Sequence, residues 1–144
     1  MFSKFFKKKE DVFSNNKNIL VAALLIHAAK IDESYTNIEK DIIKKALINF
    51  SGSTPDKVEE ILSEAEKKEK QSNQIIEFTK EIKKNPMEFR FKIIEILWKI
   101  VYSDGTSDNY ESNLIKRVCG LLYVQDKDSA LIKLKVKKSL EINI

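Results

Sequence analysis

Apolar residues recur at helical spacing along nearly the whole chain. Ile38, Ile42, Ile43, Ala46 and Leu47 share one stripe of a helix that begins near Thr36. Val58, Ile61, Leu62 and Ala65 form a thinner stripe on the next, from Pro55 to about Lys70. Its opposite face is Glu and Lys with many i,i+4 partners, so that helix should lie on the outside. Two segments are apolar on most faces and read as buried: Ile19 to Ala29, and the run of Phe89, Phe91, Ile93, Ile94, Ile96, Leu97, Trp98, Ile100 and Val101. Shorter patterns predict helices over Ile75–Ile82, Asn109–Leu122 and about Lys127–Leu140. Phe2, Phe5, Phe6 and Phe13 suggest a short amphipathic piece at the start, ending at Ser14-Asn15-Asn16.

Punctuation supports this division. Three glycines and two prolines are far too few for an all-β chain, which needs turn residues every eight to twelve positions. Ser51-Gly52 stops one helix and Thr54-Pro55 opens the next, a cap followed by proline at the first helical position. Asn85-Pro86 does the same further on, and Asp104-Gly105 ends the most apolar helix. With 144 residues there is enough chain for one core. The expected fold is all-α, a single compact domain of about seven helices at 17–144, preceded by a basic, aromatic segment at 1–16.

Several chemistries are excluded by composition. The single cysteine, Cys119, forbids an internal disulfide and suggests a reducing compartment. One His and one Cys cannot build a structural zinc site, and no Gly-rich phosphate loop or Ser-His-Asp grouping is present. The basic Met1–Lys9 stretch before an apolar run loosely imitates a signal peptide. Glu10 and Asp11 interrupt it, however, no good cleavage site follows, and the run is short of the ~20 residues of a membrane span. A cytoplasmic protein is the expectation.

An internal repeat carries the candidate chemistry. A shift of 72 positions lays Asp32 on Asp104, Asn37 on Asn109, Glu39 on Glu111, Ile43 on Ile115 and Lys44 on Lys116. Each unit is a helix, an acidic turn and a second helix, and two such hairpins pack most simply about a pseudo-twofold axis. Thr36-Asn-Ile-Glu39 and Asp108-Asn-Tyr-Glu111 both fit the capping box, so Glu39 and Glu111 can be read as groups that reach back to backbone amides. Asp32 and Asp104 are different. Each stands at the C-terminal end of a helix, where the macrodipole disfavours a carboxylate by about 0.3–1 kcal/mol. Asp32, Glu39, Asp104 and Glu111, with Asp108 a fifth, can therefore also be read as a carboxylate set for a divalent cation, Ca²⁺, Mg²⁺ or Mn²⁺. The spacing is not that of an EF-hand, because Gly105 comes second in its loop.

The doubled hairpin, with Tyr102-Ser-Asp104-Gly105 and a following Glu111, resembles the TerB-like helical domain. That family includes bacterial tellurite-resistance proteins and the N-terminal region of the DjlA co-chaperone. The resemblance covers roughly Ile19 to Leu140 and is closer in the second copy; in the first, Glu33 stands where glycine is usual. It implies an all-α fold of about seven helices, a divalent-metal site at these acids, and a role in stress response. It implies no defined catalytic reaction, and a tellurite phenotype belongs to some members only.

Other residues invite plainer readings. His27 is expected to be a core or boundary histidine with one hydrogen-bond partner, Cys119 an inert buried thiol, and Trp98, Phe89, Phe91 and Tyr102 core-facing aromatics. The net charge of +4 belongs to the chain ends. Residues 1–9 carry four lysines and no acid, residues 127–144 five lysines against Asp128 and Glu141, and residues 10–126 hold 17 basic against 20 acidic groups. A slightly acidic body removes most of the case for a nucleic-acid groove, and no nucleic-acid partner is expected. The leading expectation is a non-enzymatic module with a protein partner. The alternative is a peripheral membrane or protein-docking module that uses residues 1–13, whose phenylalanines and lysines suit weak contact with an anionic membrane. A third class, acid–base catalysis by paired carboxylates, has no nucleophile, cofactor motif or pocket to support it.

Overall fold

The structure, a computed structural model, describes residues 17–30, 36–71, 75–104 and 109–142. Among these there are seven α-helices and no strand: α1 (17–29), α2 (Asn37–Ser51), α3 (Pro55–Gln71), α4 (Ile75–Ile82), α5 (Met87–Val101), α6 (Asn109–Leu121) and α7 (Asp126–Ile142). A 3₁₀ turn, Tyr102–Asp104, extends α5. The expected all-α single domain is what forms. The N-terminal segment 1–16 lies outside the described residues.

Helix boundaries follow the punctuation. Gly52 caps α2 in the left-handed region (φ 64°), where its N–H donates to Ile48 O at 2.9 Å; an L-residue is strained there, and glycine is not. Thr54 Oγ1 accepts from Lys57 N at 3.3 Å at the start of α3. Asn85 closes α4, its Nδ2 donating to Ile82 O at 3.0 Å and to Glu81 O at 3.2 Å. Arg90 then ties this turn to the far side of the fold: Nε donates to Asn85 O (3.0 Å) and Nη1 to Leu122 O (2.7 Å). That second bond satisfies a carbonyl at the end of α6 that has no partner within its own helix.

One continuous core runs from Leu20 to Val136. Its centre is made by α1, where Leu20 to Ile26 are all buried, and by α5, with Ile93, Ile94, Ile96, Leu97, Trp98, Ile100 and Val101. These are the two segments that read as apolar on most faces. α7 lies along α5, α2 packs on both α3 and α5, and α6 on α4 and α5. One stripe residue departs from expectation. Ile38 is 63 % exposed, while Ile43, Ala46 and Leu47 are buried. At about 100° per residue, Ile38 falls more than 100° from the centre of the buried arc, away from the face that packs on α3 and α5.

Candidate functional site

The chain enters α2 through Thr36. Its backbone is extended (φ −78°, ψ 162°), which aims the side chain back over the first turn. Thr36 Oγ1 accepts from Glu39 N at 3.1 Å. Glu39 Oε1 in return accepts from Thr36 N at 3.1 Å and from the Thr36 hydroxyl at 2.9 Å. Both halves of the capping box are made, and Glu39 is buried, at 5 % exposure. The carboxylate also sits at the positive end of the α2 dipole. The capping reading of Glu39 is therefore realised.

The other four candidate acids fall outside what is described. Asp32 and Asp108 lie in 31–35 and 105–108, and the side chains of Asp104 and Glu111 are likewise outside the described residues. Their backbones place Asp104 at the close of the 3₁₀ turn after α5 and Glu111 in the first turn of α6. Among the described residues, no group of three or more His, Cys, Asp or Glu side chains forms a metal cluster. Chemically, an all-carboxylate set offers hard oxygen donors, which fit Ca²⁺, Mg²⁺ or Mn²⁺ and not a thiolate-seeking metal. α2, which carries Glu39 in its first turn, packs against α5, which runs into the 3₁₀ turn that closes at Asp104.

An ionic cluster around a buried carboxylate was missed at the sequence level. Glu69, near the end of α3, is 8 % exposed. Its Oε2 accepts from Lys30 Nζ at 2.9 Å, and His27 Nδ1 lies 3.4 Å from its Oε1. His27 also packs its ring, tilted by 58°, against Phe78 at 6.4 Å. The sign of Glu69 was present in the chain, because Val58, Leu62, Ala65 and Glu69 follow one another at i, i+4, i+7 and i+11. That places it on the apolar stripe, away from the solvated Glu/Lys face. His27 matches its boundary reading. The contacts among the described residues make it an ion pair between Glu69 and Lys30 with a histidine neighbour.

A further buried polar contact lies at Trp98. Its Nε1–H donates to Ser129 Oγ at 3.2 Å, its ring stacks on Tyr102 at 6.1 Å, and Lys133 Nζ sits 4.9 Å over it. Ser129 also neighbours Cys119, which is 1 % exposed. Burial pushes the Cys119 thiol above its ordinary pKa, with the Ser129 hydroxyl pulling weakly the other way. An inert core thiol is the result.

Among the described residues, no helix is long and apolar enough to cross a membrane. A family model described as tellurite resistance protein TerB matches residues 18–134. No curated protein and no solved structure matches the chain. With more than four-fifths of its length inside the family match, the chain belongs to the TerB family.

Proposed function

We propose that this TerB-family chain is a non-catalytic helical module that holds a divalent cation at its two acidic turns and engages a protein partner in a stress response. The observation that carries this reading is the duplicated Asp-x₆-Glu spacing, set on two helix–turn–helix units that both fall within the matched span 18–134. Asp104 and Glu111 are assigned as the principal ligands, with Asp32, Glu39 and Asp108 as further donors. A bound cation would neutralise carboxylates that otherwise repel one another. Glu39 has a stake in both roles, since its Oε1 is already shared between the Thr36 amide and hydroxyl.

Titration with Ca²⁺, Mg²⁺ and Mn²⁺ tests this while thermal unfolding is followed. Ligation of the folded state alone raises stability by about 2.7 kcal/mol at a hundredfold excess over Kd. Asp104→Asn and Glu111→Gln should each lose most of that gain. An unfolding midpoint that no ion moves would reduce the repeated acids to helix caps.

A further inference from the structure

α2 carries lysines on two edges, and they are treated differently. On one edge, Lys44 pairs with Glu59 and Lys40 Nζ lies 3.4 Å from Glu66 Oε1, both acids belonging to α3. An acidic helix thus covers that edge. The Glu59 carboxylate holds the Lys44 ammonium above the usual lysine range. On the other edge, α2 and α5 leave an open groove of about 410 Å³. Ile42, Ala46 and Ile96 floor it, and Lys45, Lys92 and Lys99 stand on its rim. The acids available there are few. Glu95 is shared by Lys99 and by Lys135 of α7, each at 3.8 Å, and Asp41 lies 3.1 Å from Lys45. Both walls are helical stripes at i, i+3, i+4 and i+7, two turns long, and the small Ala46 side chain keeps the floor low.

We propose that this groove is a docking site for an acidic amphipathic helix of a partner protein, with apolar side chains between α2 and α5 and carboxylates against Lys45, Lys92, Lys99 and Lys135. The groove's shape and charge both favour that occupant. A concave channel between two helices takes the ridge of a third, whereas a planar bilayer leaves it unfilled. Its rim lysines are exposed, so one small anion would gain little, and several carboxylates in register gain more. The basic Met1–Lys9 stretch of the same chain carries the wrong sign. The acidic α3 of a second copy has already buried its own apolar stripe of Val58, Ile61, Leu62 and Ala65. This site is separate from the cation reading and stands or falls without it.

The probe is a fluorescein-labelled synthetic helix of about 18 residues, with leucines at i, i+3, i+4 and i+7 and glutamates flanking them. It is titrated with the full chain in EDTA and again with Ca²⁺. Saturable anisotropy, weakened by salt, is expected in both, with amide shifts concentrated on α2 and α5. Lys92→Glu with Lys99→Glu should weaken binding about tenfold or more. Asn49→Trp, which fills the groove from an exposed position, should abolish binding with the thermal melt unchanged. Binding that requires Ca²⁺, equal binding of a lysine-flanked peptide, shifts on other helices, or no saturation would each overturn the proposal. So would phosphatidylglycerol vesicles that bind with the same lysine dependence while the peptide does not.

Discussion

Glu69 of α3 accepts a 2.9 Å hydrogen bond from Lys30 Nζ at the end of α1, joining two helices 39 residues apart in sequence through a carboxylate that is almost fully buried. The second carboxylate oxygen faces His27 at 3.4 Å. Burying a charge costs several kcal/mol, which its partners must offset, so loss of one partner leaves the other exposed to that cost. Lys30→Ala, which leaves the buried Glu69 carboxylate short of its ammonium, is expected to destabilise the fold by about 3 kcal/mol, and Glu69→Leu, which removes the buried charge and fills the space, by much less. Urea unfolding of the two variants measures the difference. An equal loss in both would show that packing and not charge governs the site.

The Trp98–Ser129 bond is the polar contact most enclosed by core. Trp98→Phe and Ser129→Ala should each cost about 1–2 kcal/mol, because each leaves a buried group short of a partner or of volume. The double variant should cost less than their sum, since the bond can be lost only once. Simple additivity in denaturant titrations would mean that the two side chains contribute independently.

At the entry to α2, Thr36→Ala removes the acceptor for Glu39 N and the hydroxyl that binds its carboxylate. A loss of about 1 kcal/mol is expected, and Thr36→Ser should restore most of it. The same pair of variants, melted with and without divalent cation, separates capping from ligation at Glu39. Capping changes both melts alike.

Gly52→Ala tests the end of the same helix. No neighbouring atom lies within 4 Å of an added Cβ, so any cost comes from the left-handed backbone alone. About 1 kcal/mol is expected, read as a lower unfolding midpoint.

Cys119 gives a pH-dependent prediction. Its folded pKa is raised by burial, so the folded state resists ionisation and the unfolded chain ionises first. Its contribution to stability is present in full below the unfolded thiol pKa of about 8.5 and is lost as pH rises from there through the folded value. Cys119→Ala should therefore flatten the alkaline limb of a stability–pH curve. In the native protein, Ellman's reagent at pH 8 should react only at the rate of unfolding; prompt labelling would place the thiol at the surface.

Helix identity was legible in the sequence because it depends on local spacing and on a handful of glycines, prolines and caps. The Thr36–Glu39 box, the Gly52 stop and the Asn85-Pro86 junction are all decided within four residues of chain, and each forms where the pattern puts it. The +4 charge could likewise be assigned to the ends from the chain alone. What spacing does not carry is which arc of each helix finds a neighbour. Ile38 is apolar and exposed because α3 and α5 pack on another arc of α2, and Glu69 is charged and buried beside Lys30 and His27, contacts made across 39 and 42 residues of chain. The groove between α2 and α5 is of the same kind. Its lysines are unremarkable along the chain and acquire meaning only when two helices bring their stripes face to face with no third among the described residues to cover them.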